Sequence, residues 1–286
     1  MTRPLRFLII DGYPKPSREQ FQSVGMGLAG QLYADLLLQH LPNATYDIIY
    51  SSDPGATLPE EDRLEDYNGI LWPGCNLTVY HTHDPRVTKM IDLVKWGYEV
   101  GIPQFGSCWA AQIAVVAAGG KVAANPKGRE MGIARKIYLT PEGHKHPMYE
   151  GKPLVFDGFI SHDDHVTELP PGALWLATND FTRVQAVSVT HKNGVFWATQ
   201  YHPEYNLHEI ARLIVAREKK LTEQGYFRNH DDLLHYVQKL ETIFANPGRK
   251  DLRWQLAIDD DLISEPIIQC EFVNWLKKVV IPLSKN

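Results

Sequence analysis

The stretch "FGSCWAAQIAVVAAGG" (residues 105–120) decides how the chain is read. An apolar lead-in over residues 102–105 meets Gly106, then Ser107 and Cys108, and an alanine-rich run follows as far as Gly119-Gly120. Strand, sharp turn and helix form the layout of a nucleophile elbow, in which small neighbours let the backbone crowd around one reactive side chain. A helix start also favours thiolate over thiol, because its free N–H groups and macrodipole stabilise negative charge. Helical spacing sets Gln112 one turn along on the face of Cys108, where its amide can meet a bound molecule. Alanines at 110, 111, 114, 117 and 118 let such a helix lie close to a sheet. The plain alternative is a small buried cysteine among alanines, and this segment alone does not separate the two.

Upstream of the elbow, apolar runs alternate with helical patterns. "RFLIID" (6–11), "YDIIYS" (46–51), "GILWPG" (69–74) and "IPQFG" (102–106) read as strands. Residues 24–41, with Leu28, Leu32, Leu36 and Leu37 in helical spacing, and residues 84–100 read as helices between them. This alternation predicts a parallel sheet wrapped by helices. After Gly120 the strands come closer together, at 134–140, 153–159, 173–179, 185–191 and 194–202, which predicts an antiparallel edge or subdomain. Beyond Pro203 three amphipathic stretches, 207–225, 230–248 and 265–283, predict helices, with Asn229 capping the second and Pro247-Gly248 ending it. The domains expected are 1–205 as the catalytic unit and 206–286 as a helical C-terminal extension on the core or on a second subunit. Trp254 and Trp275 are expected to anchor it.

Composition sets the outer limits. The chain has 286 residues, a formal net charge of −5, 44% hydrophobic and 22% charged residues, and no basic stripe of the kind nucleic acid requires. No apolar run is long enough to span a bilayer. The opening "MTRPLRFLIIDG" reads as a first strand rather than a signal peptide, since its apolar run is short and lacks a small-residue cleavage site. Three cysteines, Cys75, Cys108 and Cys270, cannot all pair within the chain and form no CxxC, so a reducing cytoplasm is the expected compartment. Cys75 reads as a packing residue.

"WATQYHPEY" (197–205) supplies a partner for Cys108. If the extended conformation continues through Pro203, His202 and Glu204 share a face. Glu204 then holds one ring nitrogen as a donor and leaves the other to take the thiol proton. Nucleophile, base and orienting carboxylate are the three parts of a catalytic triad. A surface His–Glu pair after a strand is the plainer reading of this segment by itself. The loop after "GILWPG" offers the Gly74 N–H, which with the N–H of Trp109 would make an oxyanion hole; a simple Pro-Gly turn is the alternative.

Together these residues resemble the triad-type class I glutamine amidotransferases, including free-standing relatives that hydrolyse γ-glutamyl bonds. "GSCWAAQ", "ILWPG", "ISHDDHV" (160–166) and "YHPEY" stand in that family's order across roughly residues 5–205. The resemblance implies a flavodoxin-like, doubly wound α/β fold and attack by Cys108 on a glutamine side-chain amide. A γ-glutamyl thioester would form, ammonia or an amine would leave, and water would release glutamate. It implies Cys108, His202 and Glu204 as the triad, Gly74 and Trp109 as oxyanion donors, and Gln112 as a substrate contact. Ser161, His162 and Asp163 match the loop whose backbone grips the substrate's amino-acid end. Neither a metal nor an organic cofactor is implied. Two departures stand out. Ala110 occupies a position usually held by glycine. Asp163 replaces the glycine of the Ser-His-Gly-Asp found in synthase-linked members, and as an added carboxylate it would favour a substrate bearing a positive group. "SHDDHV" and "HPEY" look closer to the free-standing peptidases.

Histidine pairs at 81/83, 143–146 and 162/165 raise a metal hydrolase, but none lies in a helical H-E-x-x-H pattern. The expected partner is a small γ-glutamyl compound, glutamine first. A separate synthase subunit receiving ammonia is a second reading, since the chain shows no P-loop, and a homodimer is a third kind of association. A non-catalytic binding protein on the same fold is the rival from another class. On the triad reading, activity is expected to fall as pH drops through the His202 titration, between pH 8 and 5.

Overall fold

The computed structural model describes residues 4–284. Strands β1 (Arg6–Asp11), β2 (Thr45–Tyr50), β3 (Gly69–Trp72) and β4 (Gln104–Ser107) alternate with helices α1 (Lys15–Ser23), α2 (Ala29–His40) and α3 (Pro85–Val100). Helix α4 (Trp109–Ala117) leaves the elbow, and then strands crowd together. They are β5 (Lys121–Ala124), β6 (Glu130–Leu139), β7 (Val155–His162), β8 (Asp164–Glu168), β9 (Ala173–Thr178), β10 (Ala186–His191) and β11 (Gly194–Thr199), with α5 (Pro141–Lys145) after β6. Helices α6 (Leu207–Ala216), α7 (Glu218–Glu223), α8 (His230–Ala245) and α9 (Lys250–Leu256) follow. The terminal run consists of α10 (Glu265–Ile268), α11 (Cys270–Trp275), a π-turn and α12 (Ile281–Leu283).

Nine strands make one sheet in the order β2-β1-β3-β4-β11-β10-β9-β6-β7. The strands from β2 to β11 are parallel, and the remaining pairings are antiparallel. This is the α/β fold with an antiparallel edge that the strand spacing predicts. β5 and β8 pair apart from it as a two-stranded ribbon. The pivotal pairing is β11 on β4: the last strand returns from the antiparallel half and sets Thr199 level with Ser107. Residues almost a hundred positions apart therefore leave the sheet side by side, at the carboxyl ends of parallel strands, where open α/β sheets carry their sites.

Parallel strands buried on both faces read as unbroken apolar runs, and β1 shows why. Phe7 and Ile9 enter one core with Leu71 and Phe105, while Leu8 and Ile10 enter the other with Ile70 and Trp72. Alanines of α4 (Ala110, Ala111, Ala114) are fully buried against the second face, as their small size predicts. The first face is covered by Tyr33 and Leu37 of α2 and by Phe272 and Trp275 of α11. The helices after residue 205 thus pack in two places: α6 and α8 join Tyr13, Phe21 and Phe159 near the strand ends, and the terminal run closes the far face. Trp275 is wholly buried, whereas Trp254 on α9 is 85% exposed and anchors nothing within the chain.

Some boundaries differ from the sequence reading. The helix expected over 24–41 is α2 alone, because Gly25 takes a positive φ of 79° and separates it from α1, a helix the sequence reading does not anticipate. The helix expected over 207–225 breaks at Arg217 into α6 and α7. Ser161, His162 and Asp163, matched to a loop by the resemblance, lie where the tip of β7 turns into β8.

The terminal run is tied to the core by a buried ion pair. Lys152 Nζ lies 2.9 Å from Glu271 Oε1, with side chains 2% and 0% exposed. The Tyr201 hydroxyl donates to the same carboxylate at 2.5 Å. Removing one partner strands the other as an uncompensated buried charge, so Glu271→Gln is expected to lower unfolding stability by roughly 3–5 kcal/mol. Urea denaturation checks this, with Lys152→Met/Glu271→Leu recovering most of the loss; a change within about 0.5 kcal/mol, the usual range for surface sites, would contradict it.

Candidate active site

Cys108 has φ 56° and ψ −102°, a backbone state that non-glycine residues rarely adopt and that costs about 1–3 kcal/mol. The strain is held by its surroundings. The Cys108 N–H donates to the Thr199 carbonyl at 2.7 Å, pinning the turn to the end of β11. A Cβ on Gly106 would overlap the Trp72 carbonyl oxygen and the Ala110 methyl, so the turn requires glycine there. The same contact explains Ala110: its methyl occupies space that the bare Gly106 leaves open, and the elbow stays tight. The thiol points to the Ser161 carbonyl at 3.4 Å.

β11 ends at Thr199, so His202 and Glu204 are not brought together by a continuing strand, as the sequence reading supposes. A turn does it instead. The His202 N–H donates to the Phe159 carbonyl at 2.8 Å, fixing the backbone against β7. The ring Nδ1 meets Glu204 Oε1 at 2.7 Å, with both side chains 2% exposed. Ser107, one residue before Cys108, donates its hydroxyl to the same oxygen at 2.8 Å. Tyr205 stacks on the imidazole at 4.1 Å with the planes 4° apart. His202 Nε2 is buried with no hydrogen-bond partner among the described residues. The site thus brings a cysteine, a histidine and a glutamate together, with the imidazole's outer nitrogen free.

Burial disfavours a charged imidazole, but the Glu204 carboxylate and the adjacent Cys108 outweigh it and push His202 up to about 10. This revises the expected titration between pH 5 and 8: the fold keeps the ring protonated across that range. The charged imidazole is the form the fold favours. Its stabilisation is therefore complete below the unfolded value of 6.5 and is lost as pH rises through about 10.

Gly74 lies against both His202 and Cys108. A Cβ on it would stand 3.0 Å from His202 Cε1 and 3.4 Å from Cys108 Cβ. The N–H groups of Gly74 and Trp109 donate to no other group among the described residues, so both remain available. Cys75 is buried, with its Sγ packed against Gly12, as a packing residue should be. A cleft of about 280 Å³ opens from the thiol and is lined by Gln112, Ser161, His162 and Asp163 among others. Gln112 donates to the Asp164 carbonyl at 3.3 Å. His162 presents neither ring nitrogen to the cleft: Nδ1 meets the Asp164 carbonyl at 2.7 Å and Nε2 meets Glu130 at 3.0 Å. Glu130 also accepts from Asn179, Thr182 and Gln185, so the β7–β8 turn is clamped from behind by a buried network. Asp163 has no positive φ, so replacing a glycine there strains nothing.

The sequence reading misses Tyr13, Arg129, Arg217 and Lys220, all of which line the cleft. They come from the β1–α1 loop, the start of β6 and the α6–α7 junction, and only the fold unites them. Ser107 and Tyr205 stand inside the quoted motifs, and their neighbours give the available signal.

The profile of the family "Glutamine amidotransferase class-I" matches residues 36–220. The chain belongs to that family. A γ-glutamyl-L-1-hydroxyisopropylamide hydrolase from Pseudomonas sp. is 32% identical over 99% of this chain and 95% of its own length. A glutamine-hydrolysing GMP synthase from a Nitratiruptor species is 36% identical, over 51% of this chain and 26% of the synthase. A glutamine amidotransferase from Thermotoga maritima superposes with TM-score 0.68 at 17% identity, covering 97% of this chain and 99% of the other. That likeness establishes the shared fold. No helix among the described residues is long and apolar enough to cross a membrane.

In this member of the family, His202 is expected to keep its ring proton through pH 5–8 and release it only near pH 10. Glu204→Gln should lower that titration by roughly 1–3 pH units. Histidine-selective ¹H–¹⁵N NMR reads both, and a wild-type midpoint near 6.5 would contradict the assignment.

Proposed function

We propose that this protein hydrolyses a γ-glutamyl amide bond with Cys108 as nucleophile, His202 as proton carrier and Glu204 as the group that orients it. The observation that carries this reading is the buried His202–Glu204 pair, whose unpartnered Nε2 stands beside a cysteine held on a strained strand-to-helix turn. Full-length similarity to a γ-glutamyl amide hydrolase supports a self-sufficient hydrolase over an ammonia-supplying subunit, since the match to GMP synthase spans only about a quarter of that enzyme.

The steps follow from the geometry. Cys108 Sγ, its proton held on His202, attacks the γ-carbonyl carbon, and the carbonyl oxygen becomes an oxyanion facing the N–H groups of Gly74 and Trp109. His202 Nε2 then gives its proton to the amide nitrogen, the C–N bond breaks, and an amine leaves a γ-glutamyl thioester on Cys108. A water molecule loses a proton to Nε2 and attacks the thioester. The second tetrahedral intermediate expels the thiolate and releases glutamate. Glu204 and Ser107 keep Nδ1 as the donor throughout, and Tyr205 fixes the ring plane.

Purified protein should release ammonia from glutamine, or amine from γ-glutamyl amides, without any partner. Cys108→Ala should stay folded and lose turnover by roughly 10⁴-fold or more. Hydroxylamine should trap the acyl-enzyme as glutamyl hydroxamate. Turnover retained in Cys108→Ala would remove the mechanism, and a chain that acts only after a synthase is added would favour ammonia delivery.

Gly74→Ala is expected to cut kcat by about 10²-fold, because the new methyl intrudes between His202 and Cys108 where the oxyanion forms. Steady-state kinetics with an unchanged circular dichroism spectrum checks it; unchanged kcat would move the oxyanion site elsewhere.

A further inference from the structure

The sequence suggests that Asp163 would draw a positively charged substrate, and the structure reverses this. The Asp163 carboxylate is already engaged by Arg129 and by Lys220, the latter at 2.8 Å. Arg217 also lines the cleft and forms no ion pair among the described residues; its guanidinium lies over the Phe21 ring, 5.4 Å from the centroid. The mouth therefore carries three cations, Arg129, Arg217 and Lys220, against two carboxylates, Asp163 and Asp164; Arg217 is its one cation without a carboxylate partner among the described residues, while the Asp164 carboxylate accepts from the Tyr80 hydroxyl.

The position of Arg217 tells which half of a substrate it would meet. Starting from the imidazole, one wall of the site runs outward through aromatic rings. Tyr205 stacks on His202, and Tyr13 and Phe21 meet edge to face at 4.9 Å. Tyr13, Phe21, Tyr205 and Leu213 share one apolar cluster, and Arg217 lies one helical turn beyond Leu213. This is the His202 side, where a proton is delivered to the departing amine. Gln112, on α4, donates to the Asp164 carbonyl, and on the reading above these two meet the glutamyl half.

We propose that Arg217, with Lys220 beside it, receives a carboxylate carried by the departing amine. The preferred substrates are then γ-glutamyl amides of short amino acids rather than of neutral or cationic amines. This inference rests on the γ-glutamyl hydrolase reading above. A planar guanidinium can grip a carboxylate with two parallel hydrogen bonds, and its seat on Phe21 limits the freedom lost on binding. Lys220 already shares Asp163, so it reinforces the field rather than making the principal contact.

The test separates recognition from chemistry. Calorimetry on the full chain carrying Cys108→Ala compares γ-glutamylglycine with γ-glutamylglycinamide, which differ only in the terminal charge. The carboxylate should bind about tenfold or more tightly, an advantage that shrinks as salt rises. Arg217→Gln in the same background should abolish the preference while changing affinity for the glycinamide less than about threefold, and Arg217→Lys should retain part of it. Equal affinity for the two compounds overturns the proposal. So does an Arg217→Gln loss of equal size for both, which would place Arg217 on the glutamyl half. Hydrolysis of the same pair by the wild-type chain is read separately: the binding preference without turnover would refute the hydrolase reading and leave the recognition assignment intact.

Discussion

The whole site depends on one strained residue. Cys108 is held at a positive φ because the Gly106 backbone presses against Trp72, and the Cys108 N–H is fixed to the end of β11. The turn lifts the sulfur out of the sheet while leaving the first N–H groups of α4 pointing the same way. Strain of this kind persists only where packing over-determines it. Here β3 and β11 flank β4 on both sides, so the elbow cannot relax without breaking two strand pairings.

Around this turn the protein builds polarity in sealed layers. Glu204 binds His202 and Ser107 within a region that excludes water, where electrostatic attraction outweighs the cost of burying a charged imidazole. A second buried carboxylate, Glu130, fastens His162 and three further donors behind the β7–β8 turn. A third, Glu271, pairs with Lys152 and Tyr201, the residue next to His202 in the chain. Each carboxylate fixes a segment that carries or adjoins residues of the site, so its geometry is held by buried groups set back from the cleft.

The C-terminal helices supply two separate things. Phe272 and Trp275 complete the core beneath β1, β3 and β4, which the preceding helices leave only partly covered. The α6–α7 junction places Leu213, Arg217 and Lys220 at the mouth of the cleft. Cys108 thus stands at a strand end, while the helices add Arg217 and Lys220 to the charge that Arg129 and Asp163 bring to the entrance.

The sequence alone determined what depends on local spacing. The parallel strands were legible because burial on both faces leaves unbroken apolar runs, and the elbow because Gly106, Cys108 and the alanines have few other uses in that order. His202 and Glu204 were legible as a pair two residues apart, although the turn that joins them was not. Tertiary structure decided everything that rests on register between distant segments. β11 returning beside β4 brings the imidazole to the sulfur. The charge of Asp163 is reversed in effect by cations from β6's leading end and α7. His162 turns inward to Glu130, a carboxylate from a different strand. None of these leaves a periodic trace in the chain, because an ion pair or a shared cleft constrains where side chains end and not how they are spaced.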